Sequence, residues 1–387
     1  MKNIVIRAPL LSCSGYGVHS RQIFKWLISR EDLQVKTQVV PWGETNWWLN
    51  EEYENGLIGE VFKRSANNND TAYDISFQVQ LPNEWDPNLA KFNLGVSAVV
   101  ETDKCNPAWI DACNKMDAVI VPTAHVKNTL ENTGEIKVPL LVIPESYIES
   151  IDEDPDPLGL DISTNFNFLL VGQITGNNPE NDRKNLFYTI KWMCDVFKDD
   201  PDVGIILKTN SGTGSKIDRK VTTRLITQLT QEARQGKFPK LYLVHGNLKS
   251  EEIAQLYREP SIKCLVSLTR GEGFGLPLLE AAASRIPIIA TRWSGHLDFL
   301  KLGKFISVDY RLVDIHESRV DNRIFMPGSK WAEANEGDFK RRISKFRKSS
   351  AIPTQWAQEL SENIRSNFSH RAISKIYDKA LKELVGI

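Results

Sequence analysis

The sequence predicts an α/β protein built as two tandem lobes, each a parallel β-sheet flanked by helices. Three observations carry this. Short runs of Val, Ile and Leu alternate with longer segments of helical periodicity, the pattern of strand, crossover helix and parallel strand. A chain of 387 residues is long enough for about two to three domains. The run from Ile151 to Gly159 carries prolines and like charges that oppose both helix and buried strand, and so marks the boundary.

Before that boundary the strands fall at residues 3–6, 34–40, 75–80, 118–121 and 140–143, with helices at 17–29 and 124–132. After the boundary, strands at 166–171, 203–207, 240–244, 264–267 and 286–290 alternate with helices such as 186–197 and 250–257. The segment 361–385 spaces Ile364, Phe368, Ile373, Ile376, Tyr377, Leu381 and Leu384 mostly as one helical stripe, so one of its faces should be buried. The basic run 340–348 reads as a solvated helix face, because Ile343 and Phe346 sit three apart as a buried stripe should. A nucleic-acid or membrane-surface patch is the other reading.

Composition narrows the function classes. At 41% hydrophobic and 25% charged, the chain is neither disordered, collagen-like nor a disulfide scaffold. No apolar stretch approaches the roughly 18 to 20 residues that span a bilayer. The start reads as a first strand rather than a signal peptide, which predicts the cytoplasm. Five cysteines without a C-x-x-C pair predict reduced thiols and no zinc site. Residues 1–150 hold 13 Lys and Arg against 19 Asp and Glu, a net of −6, while the rest carries 35 against 30, a net of +5; an anionic ligand should prefer the second half.

The chemistry concentrates in Arg270-Gly271-Glu272-Gly273-Phe274-Gly275-Leu276-Pro277, which follows a strand and opens a helix. Pro277 suits a first helical turn. Glycines let the backbone approach a ligand, and amides at a helix start bind anions, so a phosphate-bearing ligand is expected here. Glu280 is placed in the first turn of the helix and Glu272 in the loop before it, so the two carboxylates address different parts of one ligand. Each carboxylate accepts two hydrogen bonds, which suits the vicinal hydroxyls of sugars.

On these residues the sequence resembles the retaining, nucleotide-sugar-dependent glycosyltransferases of the GT-B fold, specifically family 4. Their hallmark is a Glu, seven residues, then a second Glu, in a Glu-Gly-Phe-Gly context, and Glu272 to Glu280 matches it. The resemblance implies two Rossmann-like lobes facing a central cleft, with the last helix crossing back to the N-terminal lobe. It assigns residues 1–150, with about 366–387, to an acceptor lobe and 160–360 to a nucleotide-sugar donor lobe. By the same resemblance, Glu272 contacts the transferred sugar, Gly273, Phe274, Gly275 and Leu276 face sugar and phosphate, and Glu280 holds the ribose hydroxyls. Gly172-Gln173, followed by Arg183-Lys184-Asn185, is similar to the family's pair of diphosphate-neutralising cations, but Gln173 replaces the usual Arg, leaving Arg183 or another cation as the substitute beside Lys184. His245 and Asn247 lie in the loop that the resemblance sets against the base, and Gly15 and Gly17 in a loop facing the diphosphate. Where many members place a His after an N-lobe strand, which the resemblance sets at 97–100, this chain has Glu101 and Asp103, assigned to sugar or acceptor contact. Glu272, Lys184 and Glu101 are therefore the catalytic candidates.

Tyr16 and the aromatic stretch Trp42 to Trp48, Trp47 included, make an acceptor wall, with ordinary core packing as the alternative. Asp154-x-Asp156 and Asp200-x-Asp202 match a metal motif in form only, each with a proline in a linker, so no metal or other cofactor is expected. The implied reaction moves a hexose, with UDP the favoured carrier, to a hydroxyl acceptor. The acceptor stays open between saccharide, lipid-linked sugar, protein, small metabolite and modified bases in DNA, and peripheral membrane contact stays open with it. An epimerase or phosphorylase on the same fold and a non-catalytic nucleotide-sugar-binding protein are the other readings.

Overall fold

The computed structural model describes residues 1–66, 72–174, 176 and 178–386; Ile387, the end of the expected N-terminal lobe, lies outside them. The chain divides into two compact units, Met1–Ser146 with His370–Ile387, and Tyr147–Ser369.

The first unit runs β1 (Lys2–Ala8), α1 (Gly15–Ile28), β2 (Leu33–Val39), α2 (Leu57–Lys63), β3 (Tyr73–Val79), β4 (Ala90–Val96), α3 (Ala108–Cys113), β5 (Ala118–Val121), α4 (Ala124–Thr133) and β6 (Leu140–Val142). Its strands form a parallel sheet in the order β2-β1-β3-β4-β5-β6. Ile4, Val5 and Ile6 are all fully buried, as expected of a strand covered on both faces rather than one that alternates. The chain leaves β1 for β2 on one side and then crosses to β3 on the other, so the topological switch point lies between β1 and β3.

The second unit runs β7 (Phe166–Val171), α5 (Leu186–Val196), β8 (Val203–Thr209), α6 (Lys216–Ala233), β9 (Lys240–His245), α7 (Ser250–Tyr257), β10 (Ile262–Ser267), α8 (Leu276–Ala283), β11 (Ile288–Thr291), α9 (Leu297–Leu300), β12 (Ile306–Val308), β13 (Tyr310–Asp314), β14 (Lys330–Ala334), α10 (Glu336–Lys348) and α11 (Ala351–Phe368). Its parallel sheet has the order β12-β11-β10-β7-β8-β9, which puts the switch point between β7 and β10. Phe168, Leu170, Ile205, Leu207 and Val266 of the sheet form the core of this unit with Ile190, Met193, Phe339, Ile343 and Phe346. β13 and β14 form a separate antiparallel hairpin. The two halves are Rossmann-like, as the sequence predicts.

Helix α12 (His370–Val385) packs in the first unit: Tyr377 stacks on Trp26 with ring centroids 4.7 Å apart, and Asp378 accepts from Trp26 Nε1 at 3.0 Å. The 361–385 segment comprises the end of α11 and the whole of α12, which are separated at Ser369.

Two local expectations are corrected. Residues 97–100 are not a strand; the strand is Ala90–Val96, and the chain then turns through Val99 at φ 55°. The apolar run reports burial, since Val99 and Val100 are covered, and not extended pairing. Glu280 lies in the second turn of α8 and not the first, because Gly275, at φ +102°, sets the helix start at Leu276.

The basic run behaves as a helix face. Lys340 pairs with Asp195 at 2.7 Å, Arg342 with Asp338 at 2.7 Å, and Arg347 with Asp200 at 2.9 Å and Asp202 at 3.3 Å. Ile343 and Phe346 are buried beneath it. The second formal Asp-x-Asp is thus an arginine clamp. Among the described residues no helix is long and apolar enough to cross a membrane.

Candidate active site

The second unit's switch point is where the candidate residues gather. Beyond β7 the chain makes a turn whose Asn185, at φ 54°, precedes α5; Asp182 Oδ2 accepts the amide of Leu186 at 2.7 Å and so caps that helix. Beyond β10, residues 268–275 lead into α8. The two connections are stitched together: the Arg270 amide donates to Arg183 O at 2.9 Å, Asn185 Nδ2 to Leu268 O at 3.1 Å, and Arg183 Nη1 to Gly271 O at 2.8 Å.

This stitching brings Arg183, Lys184 and Glu272 together. Lys184 Nζ contacts the two carboxylate oxygens of Glu272 at 2.6 and 2.9 Å, and Arg183 Nη1 lies 3.5 Å from Glu272 Oε2. Burial opposes the charge on Glu272, but Lys184 and then Arg183 outweigh it and hold the carboxyl at about 2. Lys184's stem packs along Gly172, where a Cβ would come within 3.3 Å of it, while Gln173 is exposed. The backbone of Glu272 is fixed from the β11–α9 connection. Its amide donates to Ser294 Oγ at 2.9 Å, and its carbonyl accepts the Gly295 amide at 2.9 Å.

Gly295 is required there by contact. A Cβ on it would sit 2.2 Å from Gly273 O and 2.8 Å from Glu272 O, both backbone atoms. Gly295→Ala therefore has no cheap relief and should cost about 3 kcal/mol of stability, read as a fall in Tm with loss of turnover. A variant as stable as the parent would show that the loop moves freely.

Phe274 is 3% exposed and packs on Phe299, with ring centroids at 5.3 Å, and on Phe368, so only its backbone is available to a ligand. Gly273 and Gly275 flank it, and Leu276 opens α8 half-buried. Glu280, 7% exposed, accepts from the Tyr257 hydroxyl at 3.3 Å. Burial raises its carboxyl to about 8, against the opposing pull of the Tyr257 hydrogen bond and of Lys208. Lys208, at the end of β8, donates to Gly246 O at 2.7 Å and is lowered by burial to about 8. His245 ends β9 with Nε2 3.2 Å from Thr222 Oγ1, and burial lowers its pKa. Asn247 Oδ1 accepts from Asn210 Nδ2 at 3.0 Å, and its own Nδ2 has no partner among the described residues.

Lys208, Tyr257, Ser294 and Asn210 are the members that sequence reasoning missed. Lys208 leaves one signal, a lone cation in the apolar run Gly204-Ile205-Ile206-Leu207-Lys208.

The remaining candidates lie in the first unit. Gly17 is required by contact, its Cβ position being 2.0 Å from Ser12 O, whereas a Cβ on Gly15 would meet open space. The Tyr16 hydroxyl lies 3.0 Å from Ser97 Oγ and accepts the Ala98 amide at 2.9 Å. Trp47 is 39% exposed. Glu101 and Asp103 stand half-buried in the connection after β4.

Residues 227–317 match the family model described as glycosyl transferases group 1, a segment that contains Glu272, Glu280 and the 245–247 loop. A probable sucrose-phosphate synthase of Thermosipho melanesiensis is 25% identical over 166 residues, a match covering 42% of this chain and only 35% of that protein. Among solved structures, sucrose-phosphate synthase from Thermosynechococcus elongatus superposes with a TM-score of 0.63 at 14% identity over 99% of both chains. The Anabaena protein HepE in complex with UDP-glucose gives 0.59 at 13% identity, over 99% of this chain and 100% of that one. At such identities the structures speak for the fold. The match to the group 1 glycosyl transferase model is thus confined to residues 227–317, with both glutamates inside them, and the fold is of the GT-B type, two Rossmann-like halves.

Proposed function

We propose that the protein is a retaining, metal-independent hexosyltransferase that uses a nucleotide diphosphate sugar, with UDP the favoured carrier. The observation that carries this reading is the buried cluster of Lys184, Arg183 and Glu272 at the switch point between β7 and β10, where open α/β sheets bind their ligands. Two cations and a carboxylate within one contact shell match the needs of a sugar diphosphate, which has an anionic leaving group next to a polyhydroxyl ring.

When donor enters, Lys184 and Arg183 exchange the Glu272 carboxylate for diphosphate oxygens, and the freed carboxylate accepts hydrogen bonds from the sugar. The bond from the sugar's C1 to the phosphate oxygen breaks as the bond from C1 to the acceptor oxygen forms on the same face. The acceptor's proton passes to the departing phosphate oxygen, so atoms and charge balance. The cations, already in place, stabilise the charge that develops on the leaving group. Glu280 takes the ribose hydroxyls, His245 and Asn247 lie against the base, and Glu101 serves the acceptor side together with Tyr16, Trp47 and Asp103. A UDP-glucose complex of one structural relative and the sucrose-phosphate synthase match support the nucleotide-sugar reading.

The test is thermal stabilisation by UDP, GDP, ADP and NAD with a chelator present. UDP at about 100 times its dissociation constant should add roughly 2.7 kcal/mol. A folded sample that no nucleoside diphosphate stabilises, or that responds only when metal is restored, would overturn the reading.

A further inference from the structure

The carboxyl ends of the first unit's strands open on a surface of one-sided chemistry. The connections leaving β1 to β6 at this edge hold nine Asp and Glu against one lysine, Lys104, together with four tryptophans. The connections at the opposite edge mix both signs, Arg30, Arg64, Lys115 and Lys137 beside acids such as Glu31, Asp32, Asp117 and Glu135, so the one-sided excess of acid belongs to the carboxyl edge. Arg21, on α1, is buried and donates to Leu10 O, Ser12 O and Glu54.

The aromatic part of this edge is a built surface. Trp42 stacks on Tyr16 with ring centroids 3.9 Å apart and planes 21° apart. Tyr16 is anchored to Ser97 and Ala98, beyond β4. Thr45 Oγ1 donates to Trp42 O at 2.9 Å and lies 2.7 Å from Ser12 Oγ, and Trp47 is bridged to Ser12 through the backbone. Three connections, beyond β1, β2 and β4, are thus laced into one platform beside the switch point between β1 and β3. In the connection after β3, Gln80 Oε1 and Trp85 Nε1 are buried without a partner among the described residues, one an acceptor and one a donor.

We propose that this edge of the first unit binds an uncharged saccharide as acceptor, stacked on the Trp42–Trp47 platform, and rejects phosphorylated or otherwise polyanionic acceptors. The proposal rests on the transferase reading above and specifies the acceptor class. The apolar face of a pyranose packs on indole, and its hydroxyls donate to carboxylates such as Glu44, Glu101 and Asp103. A phosphate at the same place would bring two negative charges to an edge where acids outnumber bases nine to one. The same field opposes DNA.

The test uses the full chain without donor and reads tryptophan emission against matched pairs: glucose with glucose 6-phosphate, fructose with fructose 6-phosphate, plus maltose, cellobiose, lactose and a single-stranded oligonucleotide. A saturable change is expected with at least one neutral sugar. Its binding should be at least about tenfold tighter than that of any phosphorylated probe, with the gap narrowing at high salt. Trp47→Ala should weaken that binding about tenfold, and Trp47→Phe should restore most of it. A phosphorylated sugar or oligonucleotide that binds as well as the neutral sugars, or no response to any neutral sugar, overturns the proposal. Because the readout needs no donor, UDP stabilisation that persists alongside such a result leaves the transferase reading standing. Saccharide binding without UDP stabilisation would do the reverse.

Discussion

Glu272→Ala is expected to lower transfer by about a thousandfold while UDP binds as tightly as before, or more tightly. The asymmetry follows from what Glu272 touches. In the free protein its carboxylate contacts Lys184 at 2.6 Å and Arg183 at 3.5 Å, the two cations that the proposed function assigns to the diphosphate. The alanine variant removes the competition of Glu272 for both cations and with it the carboxylate proposed to hold the sugar. Stability moves the other way. Removing one partner of a buried pair strands the other, at about 3 kcal/mol, so the free variant should melt several degrees below the parent and recover most of that loss in UDP. The acid limb supplies an independent check. The carboxyl is held at about 2, below its ordinary 4.5, so its contribution is complete above about pH 4.5 and is lost as pH falls toward 2. That part of the acid dependence should vanish in the variant. A variant that transfers at the parent's rate, or that loses UDP affinity along with activity, would remove Glu272 from the sugar side of the reaction.

The sequence carried the half of this site that one loop carries. Glu272, the Gly273-Phe274-Gly275 turn and Glu280 lie within nine consecutive residues, so their chemistry can be read as a string. Lys184 was legible as part of another short string, Arg183-Lys184-Asn185, through its resemblance to the Lys-Asn helix start of the glycosyltransferases. What sheet register brings together was not legible. Lys208 reaches Gly246 because β8 pairs with β9 so that Lys208 lies opposite Val244, and no local pattern states that pairing. Tyr257 meets Glu280 across two helices that the sequence separates by a strand. The misplaced strand at 97–100 has a different cause. The true strand, Ala90–Val96, carries Lys91, Asn93 and Gly95, and Asn93 is buried with its amide donating to Pro87 O and Ala90 O at 2.8 Å. Hydropathy therefore fades where the backbone is paired and rises where the chain has already turned into a covered loop.

Glu280→Gln should make the free protein more stable at alkaline pH and a poorer binder of nucleotide. Burial raises this carboxyl to about 8, with the Tyr257 hydroxyl and Lys208 pulling the other way. The folded chain therefore keeps a proton that the unfolded chain releases near its ordinary 4.5. Between those two values the native state binds more protons than the unfolded state, so stability falls as pH rises through that window. Glutamine keeps the shape, can still accept from Tyr257, and does not ionise. The two proteins should melt together near pH 4.5, and the variant should lead by on the order of 5 °C at pH 8.5. Binding shows the reverse. In the proposed function ribose hydroxyls donate to the charged form of Glu280, so parent affinity for UDP should climb from pH 6 to pH 8 as a proton is released. The variant should lack that climb and bind about 30-fold more weakly at pH 8, the worth of hydrogen bonds to a charged acceptor over a neutral one. Lys208, also near 8, faces Glu280 and Glu252, so a Lys208→Met chain should push the inflection higher, because it removes the cation that favours the carboxylate. Calorimetry in two buffers of different ionisation enthalpy counts the proton directly. A Glu280→Gln protein less stable than the parent at pH 8.5 would mean that the carboxylate is already charged and paired in the free state, and that the native chain does not keep the extra proton.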